Sequence, residues 1–469
     1  MVQFENSRRA RLETVQLPEF GVSAGEPTID PEDYLARFQL LLERVSTAGL
    51  DAVVIYADRE HAANLSWLTG FDPRFEEALM IVVPDRKPTL LTGPENVGVA
   101  SSSQLDMDVV LYPSMGLMGQ NREHTPHLPE VLNDAGLTKS MTVGACGWKY
   151  YSRAESPDHE TWLELPAYIV DTLRNLVGRS GKILNTGSIM MDPANGLRSV
   201  NTIDELARYE FAACHTSESV KRVIKNTHPG MREYEAAQGL QSVGMPLTCH
   251  PMFSSGKRAW HGLLGPTSRV LQNGDAVTTA YGVQGALNCR AGWLVHGSAE
   301  LPQAQRDYVD VLVKPYFEAV AEWLETIEIG LEGGVLDAII RRRLGDPFFG
   351  VHLNPGHLIH LEEWMHTPIY QGSQIKLRSG MAIQVDVIPA TGGPYFTTNI
   401  EDGIMLLDTE GRSEFARKYP QAMQRIENRR SFMEEELGIR LKPDCLPLSN
   451  IAGWLPPYWL SADQAMTFR

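Results

Sequence analysis

Four histidines crowd one stretch of the chain, His352, His357, His360 and His366, and two carboxylates, Glu362 and Glu363, fall among them. An imidazole titrates near neutrality and can move protons or bind a metal, so such a stretch could do chemistry. No HExxH arrangement occurs there, so the two-histidine helix of the zincins is not expected. A carboxylate at Glu362 or Glu363 could accept a proton; for at least one of the pair, solvated charge is the alternative. The five cysteines, Cys146, Cys214, Cys249, Cys289 and Cys445, are scattered without a CxxC pair. That pattern fits free, buried thiols in a reducing compartment better than a disulfide framework or a structural zinc site.

Elements must position these groups, and 469 residues are enough for two domains. Hydrophobic residues at 43% and charged residues at 21% are ordinary for a globular chain. A formal charge of −16 argues against a nucleic-acid backbone or an anionic membrane as partner, because both need a dense basic surface. The basic cluster Arg8, Arg9 and Arg11 is not followed by an apolar stretch, so a secretory leader is not expected. No apolar run reaches the ~18 residues that span a bilayer. A cytoplasmic location is the expectation.

Residues 1–29 lack a sustained period and read as an arm. Asp30, Pro31, Glu32 and Asp33 then form a helix start, with Leu35, Phe38, Leu41, Leu42 and Val45 at helical spacing and Gly49 as the stop. Strands are expected at Ala52–Tyr56, Ala78–Val83 and Val109–Tyr112, giving an α/β domain over 30–200. Thr202 and Glu205 have the form of a capping box opening a long helix. Further strands are expected at Ala276–Tyr281, Ala382–Ile388 and Gly403–Leu407, around a helical segment near 303–345. A mixed α+β domain over 201–410 follows. The extension 411–469 carries a charged helix around Arg425–Glu436 and then Trp454-Leu455-Pro456-Pro457-Tyr458-Trp459, aromatic enough to pack on the body or on a second subunit.

Short segments fall in the order of one superfamily. Asp51-Ala52-Val53-Val54, Trp67-Leu68-Thr69-Gly70-Phe71, Leu197-Arg198-Ser199-Val200, Pro229-Gly230-Met231-Arg232-Glu233, Asn273-Gly274-Asp275, Pro355-Gly356-His357, Ser379-Gly380-Met381 and Ile400-Glu401-Asp402-Gly403 resemble landmarks of the creatinase and Xaa-Pro peptidase family. The resemblance runs from about 32 to 410. It implies an α/β creatinase-like N-terminal domain followed by an α+β pita-bread domain.

In the metal-dependent members two Asp, one His and two Glu hold two divalent ions that activate a shared water. Carried over by spacing, the two Asp positions are Ala280 and Ala291 here, while His357, Asp386 and Glu401 remain. The resemblance therefore implies no dinuclear centre and no cofactor; a single ion held weakly by His357, Asp386 and Glu401 is the alternative. Creatinases share the fold, lack the paired aspartates and hydrolyse a C–N bond with a second histidine as general base and acid. His261, in Trp260-His261-Gly262, is the matching candidate, with His357, Asp386 and Glu401 orienting substrate and water; a loop histidine is the bland alternative.

Where creatinases hold the guanidinium with a glutamate, this chain has Trp293, and where they bind the carboxylate with an arginine it has Pro368. Creatine itself is therefore not expected. Trp293 could offer a π face to a cation, or pack in the core. His360 stands where the family's GHxxG has glycine, and so places a side chain in the pocket beside Glu363. Arg290 and the pair Lys257-Arg258 are candidates for a substrate carboxylate, and Arg59 to His61 fall in the region that reaches the neighbour's site in dimeric members.

The expected function is metal-independent hydrolysis of a C–N bond in a small nitrogenous metabolite, creatine-like or ectoine-like, by a homodimer. A single-metal Xaa-Pro-type peptidase, a lyase like the dimethylsulfoniopropionate-cleaving members, and a non-catalytic interaction module are the alternatives.

Overall fold

The structure, a computed structural model, describes residues 8–241 and 243–469; the first seven residues of the expected arm lie outside the described residues. The chain divides into two compact units, Ile29–Ser199 and a second formed by Met1–Thr28 with Val200–Arg469. Arm and C-terminal extension therefore belong to the same unit as the second domain. Strand β1 (Arg11–Thr14) has its partner at the far end of the chain, described below.

The Ile29–Ser199 unit opens with the helix Pro31–Thr47. Asp30 caps it by accepting from Glu32 N at 3.0 Å, and Pro31 fills the first turn, where no donor is needed. Its buried face is Tyr34, Arg37, Phe38, Leu41 and Val45, whereas Leu35 is exposed. Strands β2 (Ala52–Ala57), β3 (Ala78–Val82), β4 (Thr89–Thr92), β5 (Asp108–Leu111), β6 (Thr142–Cys146) and β7 (Lys182–Asn185) form a six-stranded sheet in the order β5-β4-β3-β2-β6-β7. Pairing is parallel for β2 with β6, β6 with β7 and β4 with β5, and antiparallel around β3. β2 and β3 are buried along their whole length, as the unbroken apolar runs require.

The second unit is built around the helix Ile203–Asn226. Its capping box is complete: Thr202 N donates to Glu205 Oε2 at 2.8 Å and Glu205 N to Thr202 Oγ1 at 3.4 Å. Against it lies an antiparallel sheet of β8 (Met252–Ser255), β9 (Ala276–Val283), β10 (Ala286–Trp293), β11 (His357–Leu358), β12 (Ala382–Asp386), β13 (Ile400–Leu406) and β14 (Cys445–Pro447). The order is β11-β12-β13-β10-β9-β8, with β14 pairing β13. Helices Lys314–Thr326 and Gly333–Leu344 fill the segment between β10 and β11.

Strand β15 (Gln464–Thr467) pairs antiparallel with β1, so the arm and the tail tie each other down. Trp454, Leu455, Tyr458 and Trp459 are buried in this unit, and Pro457 O accepts from Trp293 N at 2.9 Å. Burying these rings resolves the exposure they would otherwise suffer. No helix among the described residues is long and apolar enough to cross a membrane.

Candidate active site

Strand register lays one row of residues across the second sheet. Met252 of β8 faces Ala280 of β9, Ala280 faces Cys289 of β10, Cys289 faces Glu401 of β13, and Glu401 faces Asp386 of β12. His357 enters from β11, opposite Gln384. Alternation along a strand sends directly opposed residues to the same face, so this row presents one wall of a cavity of about 600 Å³.

His357 is fully buried and follows Gly356, whose φ of +132° suits no L side chain and where a Cβ would come within 3.1 Å of the Trp323 ring. The imidazole is held on three sides. Nδ1–H points to Leu358 O at 3.3 Å, the ring stacks on Trp364 at a centroid distance of 4.1 Å, and Nε2 lies 3.0 Å from Glu363 Oε1. A protonated imidazole would form an ion pair with Glu363 there. Asp386 Oδ2 is 3.8 Å from the same nitrogen.

Burial alone would depress the His357 pKa, but the hydrogen bond and charge of Glu363, with the charge of Asp386, raise it above its ordinary value. Asp386 is pushed up to about 6 by burial, opposed by His357 and helped by Glu363. Glu401 rises well above the usual carboxylate range through burial and then the charges of Asp386, Glu363 and Asp402. Cys289 and Cys249 also line the cavity; burial raises both thiols, Cys249 to about 11, so neither is a ready thiolate.

His261 reaches the same cavity from its rim, at the end of the short helical turn Gly256–His261, and is exposed. A buried carboxylate anchors that loop. Glu233 accepts from Ser255 N and Oγ at 2.9 and 2.7 Å, from Thr267 N and Oγ1 at 2.9 and 2.7 Å, and pairs with Arg258. Ser255 and Thr267 flank Trp260-His261-Gly262, so Glu233 positions the loop from both ends. Its place in Pro229-Gly230-Met231-Arg232-Glu233 marks it in the sequence, but its partners lie more than twenty residues away.

Four expected substrate contacts lie outside the cavity lining. Arg290 is fully buried, on the opposite face of β10 from its neighbour Cys289; it pairs with Asp402 at 2.7 Å and donates to Ile451 O and Trp454 O. It fastens the tail to β13. Trp293 packs behind the cavity wall, its ring against Phe396 at 5.5 Å and Tyr308 at 5.9 Å. His360 is buried towards the helix Ile203–Asn226, with Nε2 3.8 Å from Glu205 Oε1 and its ring edge-on to Tyr209. Arg258 is committed to Glu233 and to Gly265 O. Glu363 does line the cavity. Trp260, Trp364 and Phe396 line it too, and no spacing in the sequence singles them out.

The carried-over position Ala291 lies two residues beyond Cys289 on the same face of β10, diagonal to Ala280, which pairs with Cys289 across the tight turn at Gln284 and Gly285. Neither Ala280 nor Ala291 has a ligating atom. The two aspartates of a dinuclear centre have no substitutes here, and the residues present do not fit that group. His357, Asp386 and Glu401 each bring one ligand atom within 4.8 Å of the others, a spacing that could serve one ion.

Comparison with known proteins agrees with this architecture. Residues 37–156 match the creatinase/prolidase N-terminal domain, and residues 207–417 match metallopeptidase family M24. The chain belongs to the creatinase and Xaa-Pro peptidase superfamily, with its N-terminal domain and its pita-bread domain. Among solved structures, the prolidase from Pyrococcus horikoshii OT3 is 17% identical at a TM-score of 0.60, covering 79% of this chain and 95% of that one. The Xaa-Pro dipeptidase from Bacillus anthracis is 17% identical at 0.59, covering 81% and 96%. A prolidase from Thermococcus sibiricus is 16% identical at 0.62, covering 81% and 95%. No curated protein sequence matches the chain.

Proposed function

We propose that this M24-family hydrolase cleaves a C–N bond in a small nitrogenous molecule with acid–base groups of its own chain rather than with a dinuclear metal centre. The observation that carries the reading is the row Ala280–Cys289–Glu401–Asp386, in which two positions lack a carboxylate, beside a His357 whose Nε2 is already engaged by Glu363.

His261, on the rim, takes a proton from the attacking water and returns it to the leaving nitrogen. Glu401 and Asp386 hydrogen-bond the water and the polar centre of the substrate. The His357–Glu363 pair fixes that floor and holds a proton next to it. Trp364, over the imidazole, keeps bulk water from its face.

A second reading has its own support. The convergence of His357, Asp386 and Glu401 suits one divalent ion, and metal-dependent catalysis is usual in the family. Elemental analysis of protein purified without chelator, combined with a screen of small amides, ureas and guanidino compounds, separates the two. Activity independent of chelator, lost in His261→Ala and His357→Ala, supports the first. Activity that rises with added Mn²⁺ and vanishes with chelator supports the second, and activity untouched by both substitutions sinks the first. A cytoplasmic homodimer remains part of the proposal, to be checked by fractionation and light scattering.

A further inference from the structure

We infer that the cavity selects a cationic amine on an apolar, aromatic body and rejects molecules that carry a carboxylate. The inference rests on the hydrolase reading for its biological use, and on the lining of the cavity for its argument.

A volume of about 600 Å³ accommodates a small organic molecule rather than a peptide strand. Three carboxyl groups, Glu363, Asp386 and Glu401, project into it, and among the described lining residues there is neither lysine nor arginine. The neighbouring guanidinium groups are committed elsewhere: Arg290 to Asp402, Arg258 to Glu233, and Arg269 to Asp275 through two hydrogen bonds of 2.6 and 2.8 Å. A ligand carboxylate would be desolvated against acids with no guanidinium or ammonium to receive it. An ammonium would meet acceptors on the floor.

The walls supply the rest of the preference. Met252, Leu287, Leu353 and Ile388 make an apolar sleeve, and Trp260, Trp364 and Phe396 set rings around it. Trp260 is 57% exposed and Trp364 37% exposed, so aromatic faces remain open at the mouth. Such faces bind both an apolar ring and a cation.

Two probes of matched size, 2-phenylethylamine and 3-phenylpropanoate, test this by isothermal titration calorimetry at neutral pH. The amine should bind at least about tenfold more tightly than the acid. Glu363→Gln and Trp260→Ala should each weaken the amine by about three- to tenfold. Trp260 lies on an exposed loop, so its variant keeps the melting temperature even if the Glu363 variant does not. Equal or tighter binding of the acid, binding of neither probe, or amine binding indifferent to both substitutions overturns the inference.

Turnover is read separately. Amine selectivity in a protein that cleaves no C–N bond removes the hydrolase reading and leaves the selectivity standing. Cleavage of acidic or neutral amides without amine preference does the reverse.

Discussion

Cys289 stands directly across the hairpin from Ala280 and, on its other side, directly across from Glu401. The thiol accepts from Asn399 Nδ2 at 2.9 Å, and burial beside Glu401 keeps it protonated. For Ala291 to occupy that place the hairpin would need two more residues, because register depends on the length of the turn. Gly285 makes the short turn workable: its φ is +91°, and a Cβ there would strike the Tyr209 ring at 2.3 Å.

The carried-over spacing predicts which substitutions rebuild a metal site. Ala280→Asp with Ala291→Asp, two carboxylates on one face of the hairpin, should raise bound divalent metal to about two ions per chain, as in two-metal sites. Ala280→Asp alone should not. Elemental analysis of both variants after incubation with Mn²⁺ checks this, and equal loading would show the placement of the second carboxylate at 291 to be wrong.

Arg290 is assigned to the fold rather than to substrate. Arg290→Ala leaves Asp402 buried without its partner and releases Ile451 and Trp454, which should cost about 3–5 kcal/mol of stability. At a temperature where the variant is still folded, its KM should match that of the parent. A raised KM in the folded variant would return Arg290 to the binding site.

Glu233 acts on the His261 loop without reaching substrate. Glu233→Gln weakens the clamp on Ser255, Thr267 and Arg258, and should cost about 2 kcal/mol in urea unfolding. If His261 on this loop is the general base we propose, kcat should fall by more than about tenfold, consistent with the sensitivity of catalysis to misplacement. An unchanged kcat would mean the loop is held by other contacts.

Acid sensitivity of the second unit has a named source. Burial would raise the Glu210 pKa, but Arg429 and Arg425, at 2.8 and 2.6 Å, bring it below its ordinary value of 4.5. The folded state therefore binds this proton less readily than the unfolded state. The pair's contribution is complete above pH 4.5 and is lost as pH falls through the lowered folded-state pKa. Glu210→Gln, which leaves the Arg425 and Arg429 guanidinium groups without their counter-charge, should cost about 3–5 kcal/mol at pH 7. The gap to the parent should narrow as the pH drops below 4.5, and denaturant melts across that range measure it. A gap independent of pH would assign the loss to packing.

Much of the scaffold was legible in the residues themselves. The cap at Asp30, the capping box at Thr202 and Glu205, and the apolar runs of β2, β3, β9 and β12 are local signals, and local geometry fulfils them. The landmarks around Gly356-His357 and Glu401 were legible for the same reason: a positive-φ glycine or a strand end constrains its immediate neighbours. Even the helix Pro31–Thr47 was found with its face slightly turned, Tyr34 inward and Leu35 outward, because burial depends on what the helix packs against.

Sequence alone determined that the chain keeps His357, Asp386 and Glu401 and has alanine at position 280. Tertiary structure decided what surrounds them. Arg290 points away because alternate residues of a strand face opposite sides of a sheet. Trp293 packs behind Phe396, and His360 turns towards the helix Ile203–Asn226. Cys289 pairs directly with Ala280, and Ala291 lies diagonal to it, because a two-residue turn sets the pairing of two whole strands. Glu363 meets His357 only because the loop folds back on β11. Spacing along the chain names the residue types available for chemistry, whereas register and loop closure, which join distant segments, choose which of them meet.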